Sequence, residues 1–277
     1  MKALKLSLAL MCSAASAMVG ATERNDIPSC TKNVPSEYYQ LPQERELFLM
    51  IDRTMVAALD DETKASIYNN VGRFLRPGDK LQMIEFSSFQ GGAYTKVSFV
   101  GQMDSMVDSS VQNYVKKSVL RDLDSCLKKQ KKYTMAMVGK GLKQAFTPME
   151  AAPNTELLGG LRDIGNELVS ASSANRKVLV LVSDMLENSD VTTFYRSGNT
   201  RVIEPSIELN KVRDSFMMTD FSQADVYVIG TGLIEGKTKY VSAKKMNSYE
   251  SFWRAYFKES GATVRGFGKP MLLTDFK

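Results

Sequence analysis

Continuous apolar runs alternate along this chain with stretches of helical periodicity. Glu46–Asp52 and Val178–Asp184 are almost uniformly apolar until they end in an aspartate, and Asp225–Ile229 (DVYVI) is a third run of this kind. Such runs are typical of central strands buried on both faces of a parallel sheet. A further run, Lys80–Phe86 (KLQMIEF), predicts another strand.

The segments between these runs carry apolar residues at helical spacing. They predict helices over Asp61–Arg73, Glu156–Ala171, Ser206–Met218 and Ser248–Glu259. Residues 108–146 form a longer helical stretch without a strand. Tyr94–Val100 alternates in the way of an antiparallel or edge strand, and Thr263–Phe267 predicts a short last strand.

This alternation predicts an α/β fold with a doubly wound, mainly parallel sheet flanked by helices. Residues 45–277 are expected to form one domain, with a helical insertion at about 104–150. Residues 22–44 are polar and contain three prolines, so an irregular N-terminal extension is predicted there.

Residues 1–21 have the pattern of a secretory signal peptide. Lys2 and Lys5 precede a compact apolar run, and Ala15-Ser16-Ala17 offers small residues at a cleavage site. A membrane anchor is the alternative, but the apolar run is shorter than the ~20 residues that a spanning helix needs. A periplasmic or secreted protein without a stable membrane span is therefore expected.

Export would change the cysteine count, because Cys12 would leave with the signal. Cys30 and Cys126 would remain, and in an oxidising compartment one disulfide is the simplest outcome. Two unpaired thiols are the alternative. The net charge of +5 falls to +3 without Lys2 and Lys5, which is too small to predict nucleic acid as a partner.

The basic cluster within the long helical stretch has two interpretations. Lys128, Lys129, Lys131 and Lys132 could form a docking patch, or they could be the solvated end of a helix, where lysine suits the macrodipole. The second interpretation is favoured at this stage.

Histidine is absent from all 277 residues. Catalytic pairs built on imidazole and histidine metal ligands are therefore excluded. Candidate chemistry must rest on carboxylates, hydroxyls, lysines or backbone groups.

Asp52 and Asp184 are the leading candidates, because both follow apolar strands. In doubly wound sheets, ligands bind beyond the carboxyl ends of the strands, near the point where the strand order reverses. Two carboxylates there favour a hard cation such as Mg²⁺ or Ca²⁺. Hydroxyls are available from Thr54 and from Thr155, although the sequence alone favours Thr155 as the N-cap of the following helix.

These pieces resemble von Willebrand factor A-like domains. The matching segments are LFLMIDRTM, LRPGDKLQMIEFSS, NTELLGGL, VLVLVSDMLENS and VYVIGTG, in the family's order from about Glu46 to Phe267. The resemblance implies a metal-ion-dependent adhesion site with Asp52, Thr54, Thr155 and Asp184 as ligands. The sequence departs from the family's D-x-S-x-S pattern at Val56, which cannot supply an oxygen.

The resemblance also implies that a protein partner completes the site with an acidic side chain. Met185, Leu186, Glu187 and Asn188 would then be partner contacts, with ordinary loop packing as the alternative. An exported adhesion or assembly module is thus the expected function, and the resemblance implies a place in a secretion, conjugation or surface complex. The rivals are a hydrolase or phosphoryl-transfer enzyme using Asp52 and Asp184 with a metal, and a metal-free structural subunit; an enzyme is not favoured.

Overall fold

The computed structural model describes residues 24–41, 44–87, 95–148, 156–234, 237–268 and 276. The segment predicted to be a signal peptide lies outside the described residues, and so does Thr155. Within the described ranges, no helix combines the length and the hydropathy that a membrane crossing requires.

A six-stranded sheet in the order β10-β7-β4-β1-β2-β3 forms the centre of the fold. Its strands are β1 (Arg45–Asp52), β2 (Lys80–Phe86), β3 (Thr95–Gln102), β4 (Arg176–Val182), β7 (Asp225–Ile229) and β10 (Thr263–Phe267). Two short antiparallel pairs lie outside it: β5 (Tyr195–Arg196) with β6 (Asn199–Thr200), and β8 (Leu233–Ile234) with β9 (Lys237–Tyr240).

Every pairing in the central sheet is parallel except that of β2 with β3. The antiparallel edge strand was predicted from its alternating pattern, and its burial is likewise uneven along the strand. The α/β class and the mainly parallel sheet are thereby confirmed.

Within the described residues, five α-helices cover the two faces of the sheet. They are α1 (Asp61–Phe74), α2 (Lys117–Ala145), α3 (Leu157–Ile164), α4 (Pro205–Asp214) and α5 (Ala243–Glu259). A π-helical turn at Gly165–Val169 continues α3. Asp60 caps α1, since its carboxylate accepts a hydrogen bond from the Thr63 amide at 2.7 Å.

Two hydrophobic cores lie on opposite sides of the sheet, and β1 contributes to both. Phe48 and Met50 pack with α3, α4 and α5, whereas Leu47, Leu49 and Ile51 pack with α1 and α2. Alternate residues of a strand face opposite sides, so a central strand needs apolar residues at both sets of positions. This requirement explains the continuous apolar runs of the sequence.

The long helical stretch differs from its predicted extent. Only a 3₁₀ turn forms at Gln112–Tyr114, and α2 begins at Lys117 and continues to Ala145. The basic cluster at residues 128–132 therefore lies in the middle of a 29-residue helix and not at its end. The favoured interpretation of these lysines as a helix terminus is wrong.

The N-terminal extension lies against the edge strand β3. The Asp26 amide donates to the Val100 carbonyl at 2.8 Å, and the Asp26 carboxylate accepts from the Val100 amide at 3.0 Å. Cys30 and Cys126 are joined as a disulfide, with sulfur atoms 2.06 Å apart, which ties the extension to α2 as predicted. A bond of this kind fits a protein that is exported to an oxidising compartment.

Candidate functional site

The switch in strand order falls between β1 and β4. The chain adds β2 on one side of β1, then returns through β4, β7 and β10 on the other side. Because Ile51 is paired with Val182, Asp52 and Ser183 follow at neighbouring positions on the carboxyl edge of the two strands. Crevices at such switch points are the usual ligand sites of doubly wound sheets.

Asp52 is fully buried and is held by hydroxyl and amide donors. Its Oδ1 accepts from the Thr54 amide at 2.9 Å and from the Thr54 hydroxyl at 2.6 Å. Its Oδ2 accepts from the Ser183 hydroxyl at 2.9 Å. The structure thus brings Asp52 and Thr54 together, as predicted, and fixes the orientation of the carboxylate.

Ser183 is a member of this cluster that the sequence interpretation missed. It is fully buried, donates to Asp52 and accepts from the Met185 amide at 3.0 Å. The available signal was its position, one residue before Asp184 at the end of an apolar run. Using that signal requires knowing that β1 and β4 are neighbours, which single-strand patterns do not reveal.

Asp184 begins a tight turn beside Ser183. Its Oδ1 accepts from the Leu186 amide at 2.9 Å, and its carbonyl accepts from the Gly232 amide at 2.8 Å. Met185 has a φ of 59°, a left-handed conformation that is uncommon for residues other than glycine. The Trp253 indole N–H donates to the Met185 carbonyl at 3.0 Å and so stabilises this turn. Local strain of this kind is common at functional sites.

Three of the four residues proposed as partner contacts are placed in the core. Met185 and Glu187 are fully buried and Leu186 is 1% exposed. Their side chains are therefore not on the surface that a partner would meet. Asn188 is partly exposed, and its side chain accepts from the Thr193 hydroxyl at 2.7 Å.

Glu187 lies at the amino terminus of α3, where it accepts from the Leu158 amide at 3.0 Å. Burial raises its pKa to about 8, against the partial stabilisation that hydrogen bonds from Ser189 and from amides of α3 give the anion. Its other oxygen, Oε1, is buried without a hydrogen-bond partner. The pKa of Glu156, the residue after Thr155 in the sequence, is also raised, by burial and then by the negative charge of Asp190.

Arg53 and Val56 flank the cluster but turn away from it. The Arg53 guanidinium pairs with Glu85 at 2.5 Å and donates to the Thr147 carbonyl at 3.0 Å. Val56 begins a 3₁₀ turn and is 1% exposed, packed in the core beneath α1. The position that departs from the adhesion-site pattern therefore belongs to the core.

The chemistry of these donors fits a hard divalent cation. Carboxylate and hydroxyl oxygens are its preferred ligands. A hydroxyl that donates its proton to a carboxylate still presents lone pairs to a cation, so the hydrogen bonds to Asp52 are compatible with ligation. Nowhere in the described part of the chain do three Asp, Glu or Cys side chains gather as a metal-binding group, so a cation here would depend on hydroxyls as well as carboxylates.

No protein-family model matches the chain, and no curated protein matches it. Solved structures resemble it at low identity. Proximal thread matrix protein 1 from the mussel byssus is 14% identical with a TM-score of 0.35, over 82% of this chain and 45% of that one. The pilus adhesin SpaC from Lactobacillus rhamnosus GG, in its open conformation, is 14% identical with a TM-score of 0.37, over 78% and 27%.

An aerotolerance-related membrane protein from Bacteroides fragilis is 13% identical with a TM-score of 0.34, over 79% of this chain and 90% of that one. The chain spans less than half the length of the mussel protein and of the adhesin. Scores this low assign no family. The fold and the site define the protein as a doubly wound α/β protein with an oxygen-rich cluster at its switch point.

Proposed function

We propose that this protein is an exported protein-binding module that holds a divalent cation at the switch point. Asp52, Thr54, Ser183 and Asp184 would bind the cation, together with Thr155. A partner would complete the coordination with a carboxylate. The cation supplies a concentrated positive charge, and the chain's own residues orient it.

The observation that carries this proposal is the placement of Asp52, Thr54 and Ser183 in one hydrogen-bonded cluster, with Asp184 directly following. The hydroxyls fix the carboxylate of Asp52 before any ligand arrives. The turn after Asp184 is fixed by backbone hydrogen bonds to Leu186 and Gly232. A site held in this way loses little conformational entropy when it binds.

Calorimetric titration of the purified protein with Mg²⁺, Mn²⁺ and Ca²⁺ tests the proposal. We expect saturable binding to the wild type and its loss in Asp184→Asn, which removes the charge but keeps the shape. Asp122→Asn is the matched control, because Asp122 is an exposed side chain on α2 and the charge change is the same. Wild-type binding that Asp184→Asn leaves intact would contradict the assignment of the site.

A metal-free structural subunit is the second candidate. The hydrogen bonds of the Ser183 hydroxyl with Asp52 and Met185 favour it, because they hold the cluster together without a cation. No heat of binding at millimolar concentrations of all three metals would support this candidate. A metal-dependent hydrolase would instead bind metal and also release phosphate from a general phosphoester substrate such as p-nitrophenyl phosphate, which we do not expect.

A further inference from the structure

A groove of about 660 Å³ opens on the face of the molecule formed by α1 and α2. Pro77, which precedes β2, and Met106, which follows β3, line one side of it. Because β3 runs antiparallel to β2, both residues lie at the amino end of the parallel strands. The groove is therefore at the opposite edge of the sheet from Asp52.

The floor of this groove is apolar. Leu127 is 5% exposed at its base, and the side chains of Met106, Met135 and Tyr68 surround it. Gly72 on α1 lets the Met135 methyl group approach, since a Cβ at that position would lie 3.1 Å from it. Methionine side chains adapt to different partners and are common on binding surfaces.

The rim is basic, with Lys128, Lys131 and Lys132 along one side. Lys128 pairs with Asp124 at 2.7 Å, whereas Lys131 and Lys132 form no ion pair within the described parts of the chain. Helix α2 carries eight Lys and Arg residues against two Asp, a net charge of +6, while the whole chain is +5. The excess positive charge of the protein is thus concentrated on this helix.

The structure excludes the helix macrodipole as the explanation of these lysines. Lysine at a helix C-terminus is stabilised by the macrodipole, but that effect is confined to the last turn. Lys131 and Lys132 are more than ten residues from the end of α2 at Ala145. Lys128 lies three and four residues before Lys131 and Lys132 on the same helix face, where like charges repel, and an anionic partner would relieve this repulsion.

We propose that this groove binds an acidic amphipathic segment of a partner protein. Residues 128, 131, 132 and 135 have the i, i+3, i+4 and i+7 spacing of one helix face, which extends over about two turns, or ~11 Å. A segment with an apolar stripe would lay that stripe on Leu127 and Met135. Its flanking carboxylates would meet the lysines, as in helix-in-groove recognition.

An anionic membrane is the rival occupant, and the shape of the groove disfavours it. Membrane-surface binding relies on apolar side chains that protrude into the lipid below a basic belt. Here the floor residue Leu127 is almost fully buried, while Tyr68, which also lines the groove, is 36% exposed. The recessed Leu127 accommodates inserted side chains of a protein segment and is out of reach of a bilayer.

A fluorescein-labelled synthetic peptide tests the proposal by polarisation. The peptide is a helical 14-mer with leucines at i, i+3, i+4 and i+7 and glutamates on both flanks. The wild-type protein should bind it, and Lys131→Glu/Lys132→Glu should weaken binding about tenfold or more. Met135→Ser should also weaken it, because the floor loses an apolar contact.

Lys129→Glu/Lys140→Glu is the matched control, with the same charge change at exposed positions of the same helix that do not line the groove. It should weaken binding less than about threefold. Circular dichroism and thermal melting confirm that each variant is folded.

The proposal is overturned if the control weakens binding as much as the groove variant, or if a peptide of the same composition without the leucine stripe binds equally well. It is also overturned if the wild-type protein does not bind the peptide. Binding to phosphatidylglycerol vesicles that Lys131→Glu/Lys132→Glu abolishes, without binding to the peptide, would assign the surface to a membrane instead.

Discussion

Different kinds of donor hold Asp79 and Asp225 at the amino end of the parallel sheet and Asp52 at its carboxyl end. Asp79 pairs with Arg45 at 2.5 Å, and Asp225 pairs with both Arg176 and Arg265. The hydrogen bonds that fix Asp52 come from the hydroxyls of Thr54 and Ser183 and from the Thr54 amide.

The kind of donor decides whether the charge of a carboxylate is neutralised within the protein. An arginine neutralises its partner and closes the site to other cations. Hydroxyl and amide donors fix a carboxylate without cancelling its charge. Both kinds occur at both ends of the sheet, because Arg53 pairs with Glu85 at the carboxyl end of β2, and Asp104 at the amino end accepts from the Tyr39 hydroxyl and the Cys30 amide.

The largest effect is expected at the amino end, from removing the disulfide. Cys30 and Cys126 are 96 residues apart, and closing a loop of that length stabilises the folded state by about 4 to 5 kcal/mol in the chain-entropy model. Cys30→Ser/Cys126→Ser should lower the free energy of unfolding by up to this amount in urea. Metal binding at the carboxyl end should be unchanged under native conditions; a loss of both would show that the two ends are coupled.

The next largest effect is expected in the pH dependence of stability, which Glu187 causes. Its pKa rises from 4.5 unfolded to about 8 folded, so the folded protein binds the extra proton. Stability is therefore unaffected below pH 4.5, falls as pH rises from 4.5 to about 8, and is constant above that. The loss at pH 8 is roughly 4 kcal/mol at 1.36 kcal/mol per unit.

Glu187→Gln should remove this slope, because glutamine stays neutral. Urea unfolding at several values between pH 5 and 8 measures it, and the variant should be the more stable protein at pH 8. Glu37→Gln, at an exposed position, is the control and should keep the wild-type slope. Parallel slopes for the wild type and Glu187→Gln would contradict a buried neutral carboxyl.

Strands were predicted better than helices, for physical reasons. Lys80–Phe86, Asp225–Ile229 and Thr263–Phe267 have the bounds that the sequence indicated. Helix ends depend on local events: α4 begins with Pro205 at its first turn and is followed by Phe216 at a φ of 56°. Neither the proline nor the left-handed residue changes the spacing of the apolar residues, so that spacing does not predict where the helix begins or ends.

The two candidate sites also differ in how far the sequence predicted them. Asp52 and Thr54 are adjacent in sequence, so their cluster was predictable from one strand end. The contribution of Ser183 needed the pairing of β1 with β4. The groove was not predictable at all, because Tyr68, Met106 and Leu127 come from three separate segments and meet only in the folded protein.

A pair of isosteric substitutions tests the contrast between the ends directly. Asp79→Asn weakens the buried pair with Arg45 and should cost about 2 kcal/mol of unfolding free energy, with no effect on cation binding. Asp184→Asn should change stability by less than about 1 kcal/mol while removing the response to metal, since functional carboxylates are often unnecessary for folding. The contrast fails if Asp184→Asn is the more destabilising of the two.

The smallest effect concerns Val56, where the adhesion-site pattern would have a hydroxyl. If this position faced the site, Val56→Thr would add a ligand and tighten cation binding. Its side chain instead packs in the core at 1% exposure, where a new hydroxyl replaces a methyl group among apolar neighbours. We therefore expect a loss of about 1 to 2 kcal/mol in the free energy of unfolding. Titration with Mg²⁺ should give the wild-type affinity, and a tenfold gain would mean that the turn after Asp52 can reorient toward the cation.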